Sequence, residues 1–391
     1  RGNLFVNYRK TVKQIISGDP ESLEKALINS ITIANKQKVF TEIDYLTMTR
    51  DCDSFVKKRK YITFSLSAEK SDFPLAYSMV IHEKIEMFER LLRSIYAPQN
   101  VYCVHVERKS PKPFHSAIQA IASCFRNVFI VSKLETVTYA SWSRVQADLN
   151  CMEELLRSSV PWRYLINVCG QDFPMKTNRE MVNTLTAMNG SNVIESDPQP
   201  EYKQEKWPAS CPSIRWKFHY DFGGTVVITD REKSLPPPIH SPMFVGAAYI
   251  LVTREFVSNL FVNSVIQAFL KWSEDTNSPD EHIWATLQRM PEVPGSIPYT
   301  PGHRRGNPRV ITGTVKCSFE AGDVAKGAFY PQCTGRFRHQ LCIYGPGDLH
   351  WIVRQKHLFA NKLDSDVDNT AVECMGEYNR HRAIQGTGRQ E

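Results

Sequence analysis

Apolar runs alternate with segments of helical spacing in the first half of the chain. Residues 76–81 form an apolar run that predicts a buried strand, and apolar side chains recur every three or four positions in residues 83–96, which is typical of an amphipathic helix. The alternation then continues with predicted strands at 101–106, 127–131 and 164–168 and predicted helices at 113–124 and 143–157. Strands separated by helices of this length predict an α/β fold with a mostly parallel, doubly wound sheet.

The pattern differs on either side of this region. Residues 1–70 are polar and mostly helical, which predicts an N-terminal helical region before a main domain of residues 71–391. Residues 197–242 contain eight prolines and little periodicity, so they predict a long surface excursion. The remaining predictions are a strand at 244–253, a helix around 262–272 and a loop-rich, basic stretch at 300–391.

Polar residues follow several of the predicted strands. In open α/β sheets, ligands bind beyond the carboxyl ends of the strands. The residues at these positions are His82, Glu107, Arg108, Lys109, Ser132, Gln171 and Asp172. The sequence therefore predicts a binding site at this edge of the sheet.

Composition narrows the class of protein. The chain has 391 residues and a formal net charge of +7. Its contents of 42% hydrophobic and 23% charged residues are typical of globular proteins. The positive charge is compatible with an anionic partner or with a surface that keeps the protein soluble. No motif in the sequence supports nucleic-acid binding. No apolar run approaches the ~18 residues of a membrane span, and Arg1-Gly2-Asn3 opens no signal peptide. The N-glycosylation sequon at Asn189 slightly favours a protein of the secretory pathway.

Several enzyme classes lack their motifs. No G-x-G-x-x-G follows Ile81, and the chain has no P-loop and no G-x-S-x-G, which argues against a dehydrogenase, a kinase and a serine hydrolase. Asp364 and Asp366 have D-x-D spacing, but they come late in the chain, after a helix-like segment. Because cations follow Glu107 at the mid-domain strand end, the pattern favours phosphate binding by side chains over binding by a metal ion.

The Ser278-Pro279-Asp280-Glu281 segment supports two interpretations. Proline and acids suit the first turn of a helix, so both carboxylates could be capping groups. Alternatively, one carboxylate stands at a cleft edge as a general base.

A group of cations near the C-terminus also supports two interpretations. It could neutralise a diphosphate or form a solvated face. A disulfide between Cys333 and Cys342 would hold the nearest cations rigid, which favours a site. The group comprises Arg336, Arg338, His339, His357 and Lys362.

Six blocks of the sequence are long and specific enough to compare with known families: residues 73–82, 96–106, 139–151, 169–174, 278–281 and 358–362. Together they resemble the β1,6-N-acetylglucosaminyltransferases that make mucin core 2, core 4 and I-branches. The likeness runs from about residue 40 to 385 and is strongest toward the mucin-type core 2/core 4 member in residues 139–151 and 158–162.

The resemblance implies a GT-A fold, inversion at the anomeric carbon, UDP-N-acetylglucosamine as donor, O-glycans as acceptors and no metal or other cofactor. It implies a type II membrane protein of the Golgi lumen whose anchor lies outside this chain. Glu281 matches the family's catalytic base and Lys362 its diphosphate-binding lysine. The acceptor would be the GalNAc of core 1 or core 3, or the Gal of lactosamine.

Other residues of the chain align with functional positions of the family, and some of them differ from the family's usual residue type. The second diphosphate cation aligns with His339, and Arg338 precedes it, so either residue could replace the family arginine. Cys317 and Phe319 stand where the family has an acceptor-stacking Trp and a Tyr, and Glu107 where it usually has Asp. The donor-side matches are Val80, His82, Glu107 and Tyr139, and the acceptor-side matches are Glu195, Lys203, Lys206, Cys317 and Phe319. The departures at Cys317 and His339 motivate a second hypothesis, a Golgi glycan-binding relative without activity.

The resemblance also implies the cysteine pairing. It predicts disulfides Cys52–Cys124, Cys103–Cys151 and Cys333–Cys342, with Cys169 free. Cys374 lacks its family partner and is either free or paired with Cys211 or Cys317.

Overall fold

The structure is a computed structural model. No helix within its described part is both long and apolar enough to cross a membrane. It describes residues 11–33, 39–65, 72–198, 217–222, 224–232, 236–300, 316–317, 332–338 and 341–385.

A six-stranded sheet with the order β3-β2-β1-β4-β11-β6 forms the centre of the fold. Strands β1 to β4 are mutually parallel, and β11 pairs antiparallel with both β4 and β6. This confirms the mostly parallel α/β sheet. The strands are β1 (Leu75–Ile81), β2 (Val101–Val106), β3 (Val128–Ile130), β4 (Tyr164–Cys169), β6 (Val193–Ile194) and β11 (Ile250–Thr253).

Helices cover both faces of this sheet because successive side chains of a strand point to opposite faces. Tyr77 and Met79 of β1 pack in one apolar cluster with helices α4 and α5, and Ala76 packs in another with α6 and α8. The helices are α1 (Pro20–Ile33), α2 (Glu42–Met48), α3 (Cys52–Lys58), α4 (Ile85–Ile95), α5 (Lys112–Ser123), α6 (Trp142–Arg157), α7 (Asn178–Ala187), α8 (Arg254–Val262), α9 (Ser264–Ser273), α10 (Ile283–Leu287), α11 (Leu349–Ile352) and α12 (Ser365–Gln385).

Smaller strand pairings lie around the central sheet. A three-stranded sheet has the order β12-β15-β5, and three two-stranded pairings join β7 with β10, β8 with β9, and β13 with β14. These strands are β5 (Asp172–Pro174), β7 (Asp197–Pro198), β8 (Lys217–Phe222), β9 (Thr225–Glu232), β10 (Phe244–Val245), β12 (Lys316–Cys317), β13 (Arg336–Arg338), β14 (Leu341–Ile343) and β15 (Phe359–Asn361).

Three sequence predictions need correction. The proline-rich excursion contains the β8–β9 hairpin, and the loop-rich C-terminal stretch contains α12, a helix of 21 residues with a kink at Asp368. The predicted strand at 244–253 is divided into β10 and β11. The predicted helix around 262–272 is present as α9, which the Asn263 side chain caps, whereas the preceding α8 was not predicted.

The N-terminal helices pack directly on the α/β region. Tyr45 of α2, Phe55 of α3 and the following Tyr61 are buried in the same apolar cluster as β1. The Cys52–Cys124 disulfide joins α3 to the end of α5 across 72 residues of sequence. The packing and the cross-link together fix this region against the sheet.

Loss of the Cys52–Cys124 bond should destabilise the protein more than loss of the Cys333–Cys342 bond. The two bonds close loops of very different length, with sequence separations of 72 and 9. A longer closed loop restricts the unfolded chain more, so Cys52→Ala should lower the free energy of unfolding by roughly 1–2 kcal/mol more than Cys333→Ala. Denaturant unfolding of both variants tests this, and an equal or reversed loss would contradict it.

Candidate active site

The carboxyl end of β1 carries two predicted donor-side residues. Val80 is half-buried in the strand, where it pairs with His105 and Cys169 of the neighbouring strands. The His82 side chain is 65% exposed and lies 3.6 Å from Glu83. The His82 carbonyl accepts a hydrogen bond of 2.7 Å from Ser110, which follows β2. The two strand ends therefore form one surface with an accessible imidazole.

Glu107 uses its carboxylate to hold the loop after β3. One oxygen accepts a 2.8 Å hydrogen bond from the Val137 backbone, and the other accepts a 3.1 Å bond from the Lys109 backbone. This loop presents Tyr139 with 90% of its surface exposed. A large aromatic side chain held outside the protein at a site edge suits contact with a ligand.

The segment that carries Glu281 is joined to the Tyr139 loop. The Ser278 N–H donates to the Ala140 carbonyl at 2.9 Å, and both residues have a left-handed backbone, with φ of 44° and 60°. Such non-glycine conformations are costly and often lie at functional sites. Pro279–Glu281 is a short 3₁₀ helix, and Ser278 makes no side-chain capping bond. The helix start predicted here is thus a strained turn that holds Glu281 half-buried.

Gly246 brings Glu195 close to Glu281. The Gly246 N–H donates to the Glu281 carbonyl at 2.9 Å, and a Cβ atom at Gly246 would stand 2.0 Å from the Glu195 carbonyl oxygen. Only glycine permits this approach. The predicted base and one predicted acceptor residue therefore lie on adjacent segments.

Asp280 lies in a charged cluster behind Glu281. The Arg144 guanidinium donates a hydrogen bond of 2.6 Å to the Asp148 carboxylate. The same carboxylate accepts a hydrogen bond of 2.7 Å from the Ser78 hydroxyl of β1. Desolvation raises the pKa of Asp280 from 3.8 to about 6; the charge of Arg144 opposes the rise and that of Glu281 adds to it. The sequence left Asp280 as either a capping group or a carboxylate at a cleft edge, and it did not predict this cluster.

Lys362 follows β15 at the same carboxyl edge. The Lys362 carbonyl accepts a hydrogen bond of 3.0 Å from the Tyr344 N–H. The neighbouring Leu363 N–H donates a hydrogen bond of 2.9 Å to the Gln171 carbonyl. Asn361 donates to Asp172 at 2.7 Å. Lys362 is half-buried on this well-fixed backbone.

A run of neighbouring side chains connects the Lys362 region with that of Glu281. The Asn361 amide lies 3.8 Å from the Cys169 sulphur, which lies 3.7 Å from the Tyr249 hydroxyl. Tyr249 and Asp280 both interact electrostatically with Arg144. The carboxylate and cation segments thus belong to one region of the molecule.

A buried ion-pair cluster lies two residues after Lys362. Asp364 accepts hydrogen bonds from Lys84 at 2.5 and 2.6 Å and from Gln171 at 2.8 Å, and it pairs with Arg338 at 3.6 Å. Asp366 lies 2.8 Å from Lys84. Asp364 and Asp366 are the late D-x-D pair of the sequence, and their ion pairs with Lys84 and Arg338 were not predicted. No local pattern marked Lys84.

The other predicted acceptor and cation positions are only partly described. The backbone of Cys317 pairs with Ala360 in the β12–β15 ladder, which places it next to the Lys362 segment. The side chain of Cys317 lies outside the described part of the structure. Lys203, Lys206, Phe319 and His339 lie outside it altogether.

Two of the three predicted disulfides are present in the structure, and the third is not. The Cys52–Cys124 and Cys333–Cys342 disulfides are present, whereas Cys103 and Cys151 are free. Their thiols meet between β2 and α6 in a hydrogen bond, and burial raises the pKa of Cys103 well above its usual value. The thiolate needed for oxidation is therefore disfavoured, and the predicted bond is wrong for this structure.

Neither Cys169 nor Cys374 forms a disulfide with another cysteine of the described residues. Within the described residues, three metal-ligand side chains converge at Cys333, Cys342 and Asp348, but the two sulphurs are joined to each other in the disulfide.

A mostly parallel sheet covered by helices, with a carboxylate segment and a cation segment at its carboxyl edge, fits a glycosyltransferase of GT-A-like fold. The family model of the Core-2/I-Branching enzymes matches residues 75–353. The chain belongs to this enzyme family, and the resemblance found in the sequence is confirmed.

The names of proteins similar to this chain describe a single enzymatic activity. The chain is 50% identical to the β-1,3-galactosyl-O-glycosyl-glycoprotein β-1,6-N-acetylglucosaminyltransferase 3 of Bos taurus over 99% of this chain and 87% of that protein. It is 50% identical to the Homo sapiens protein of the same name over 95% and 83%. A Bovine herpesvirus 4 protein with that name, without the final number, is 49% identical over 99% and 87%.

Removal of the Asp280 charge should stabilise the protein at high pH. The folded-state pKa is raised, so the stability that this carboxyl contributes is full below pH 3.8 and is lost as pH rises through about 6. Between pH 4.5 and pH 8, the stability of Asp280→Asn relative to the parent should rise by about 2 kcal/mol. Denaturant unfolding at both pH values measures this, and a difference independent of pH would refute the desolvated carboxyl.

Proposed function

We propose that the chain is an inverting β1,6-N-acetylglucosaminyltransferase. It moves N-acetylglucosamine from UDP-N-acetylglucosamine to the C6 hydroxyl of an O-glycan acceptor, without a metal ion. The observation that carries the proposal is the placement of the Glu281 and Lys362 segments at one edge of the sheet, joined through the Asp280, Arg144 and Tyr249 region. The names of the similar proteins support the same activity.

Glu281 acts on the acceptor. Its carboxylate takes the proton from the C6 hydroxyl while that oxygen attacks C1 of the donor sugar on the face opposite UDP. The new bond joins O6 to C1, and the bond from C1 to the phosphate oxygen breaks, which inverts the anomeric centre. The strained turn at Ser278 and the contact with Gly246 hold the Glu281 backbone in place for this step.

Cations act on the leaving group. UDP departs with the electrons of the broken bond, so its β-phosphate gains negative charge as the reaction proceeds. Lys362 and Arg338 stabilise this charge, since charge-assisted hydrogen bonds to phosphate are strong. Val80, His82, Glu107 and the exposed Tyr139 bind the rest of the donor along the ends of β1 and β2 and the loop after β3.

The acceptor is an O-glycan. The names of the similar proteins specify a β1,3-galactosyl O-linked glycoprotein, which favours core 1 over core 3 or lactosamine. Glu195, on the segment beside Glu281, binds this sugar together with Lys203 and Lys206. The reaction takes place in the Golgi lumen.

Glu281→Gln should abolish transfer and leave UDP binding intact. The amide keeps the shape of the side chain but cannot accept the proton, so kcat should fall by roughly 10²–10⁴-fold. Steady-state transfer and UDP titration calorimetry measure the two effects. Glu255→Gln on α8 makes the same change at an exposed position after β11 and is the matched control. Residual transfer close to that of the control would end the assignment of Glu281.

Transfer should also proceed unchanged in the presence of a chelator. The expected product of UDP-N-acetylglucosamine and a panel of core 1, core 3 and lactosamine acceptors in EDTA is a β1,6 branch, formed fastest on core 1. Linkage analysis of the product tests the donor, the linkage and the acceptor together. Loss of turnover in EDTA that Mn²⁺ restores would contradict the cation mechanism, and UDP binding without any transfer would favour the glycan-binding hypothesis.

A further inference from the structure

The carboxylate of Asp364 has no solvent-exposed surface and joins three distant segments of the chain. The Asp364 side chain is 0% exposed. Lys84 follows β1 and Gln171 lies between β4 and β5, at sequence separations of 280 and 193 residues. Arg338 lies on the β13–β14 hairpin. The end of β1 and the hairpin carry predicted donor residues, among them His82 and Arg338, and Asp364 joins these two segments.

The contacts leave the carboxylate little freedom. One oxygen accepts from the Lys84 ammonium at 2.5 Å and from the Asp366 N–H at 3.0 Å, and the other accepts from Lys84 at 2.6 Å and from Gln171 at 2.8 Å. Arg338 approaches the second oxygen at 3.6 Å. A buried carboxylate is tolerated only with such compensation, and removal of one partner from a buried pair is costly.

The two cations at this carboxylate differ in what they can offer a ligand. Lys84 is bound by both Asp364 and Asp366, and only 17% of its side chain is exposed. Although desolvation opposes its charge, hydrogen bonds to the two aspartates raise the pKa of Lys84. Arg338 has only this one ion pair among the described residues, and 35% of its side chain is exposed. Its planar fork can therefore face Asp364 with one edge and a second anion with the other.

We propose that Asp364 is a positioning residue of the donor site, which aims the Arg338 guanidinium at the donor diphosphate beside Lys362. The proposal rests on the proposed function. It also selects Arg338 over His339 as the replacement for the family arginine. Lys84 does not bind the donor in this arrangement; its ammonium group pairs with the buried carboxylate and holds Asp364 in place.

A simpler view makes the opposite prediction. A carboxylate near a diphosphate repels it, so loss of the Asp364 charge should tighten UDP binding if only net charge matters. If Asp364 acts by aiming Arg338, loss of its charge should weaken UDP binding although the site becomes more positive. The sign of the change separates the two views.

Asp364→Asn should weaken UDP binding by about tenfold and raise the donor KM more than it lowers kcat, because a charge-assisted contact to the phosphate is lost. Uridine has no diphosphate, so its binding should change little. Asp366→Asn is the matched control: it removes the same charge beside Lys84 from a side chain that is 55% exposed. It should leave UDP binding within about twofold, as exposed pairs contribute little. Competition with a labelled UDP probe measures all of these affinities.

Two further variants keep the test decisive if Asp364→Asn folds poorly. Arg338→Lys keeps the charge but loses the fork, and it should also weaken UDP binding, whereas Arg354→Lys at an exposed position should not. In the Arg338→Ala background, Asp364→Asn should have no further effect on UDP binding.

Unchanged or tighter UDP binding in a cooperatively folded Asp364→Asn would overturn the proposal, as would equal losses for UDP and uridine. Failure of the unaltered protein to bind UDP would refute the proposed function instead.

Discussion

The charge balance around Asp364 is the constraint on which the candidate site depends. A carboxylate without solvent contact requires cations, and the cations come from segments that are far apart in the chain. By satisfying Asp364, the fold brings the end of β1, the turn after β4 and the β13–β14 hairpin to one place. Lys362 lies two residues away, on a backbone that Tyr344 and Gln171 also hold. The cation side of the site is thus fixed before any donor arrives.

The carboxylate side of the site is built differently. Glu281 lies on a strained turn between the Tyr139 loop and Gly246, so its backbone is set by hydrogen bonds from two other segments. Behind it, Asp280 sits in a setting that disfavours its charge. Desolvation beside Glu281 would strengthen the electrostatic interactions that the proposed mechanism requires of this carboxylate. The two halves of the candidate site therefore share one principle: charges of opposite sign are held in place by contacts with other segments of the chain.

Much of the fold could be predicted from the sequence. The predicted strand at residues 101–106 has the bounds of β2, because a buried parallel strand is a continuous apolar run. Helix α12 was missed because its buried side chains are mostly small or polar, among them Ala371, Cys374 and Asn379, and form no apolar stripe. The β8–β9 hairpin was missed because the surrounding prolines favoured a loop.

The site was predicted in part. The resemblance predicts roles for Glu281 and Lys362 that stay predictions, and the two segments that carry them lie in one region of the molecule. Asp364 and Lys84 were missed because their contact spans 280 residues, which no local pattern reveals.

A structure of the protein crystallised with UDP in the presence of a chelator would test the central claim most directly. The account predicts that the diphosphate contacts Lys362 Nζ and the Arg338 guanidinium, with Asp364 still bound to Arg338, and that the Glu281 carboxylate faces the space that the donor sugar would occupy. A diphosphate bound elsewhere, or held through a metal ion on Asp364 and Asp366, would contradict it.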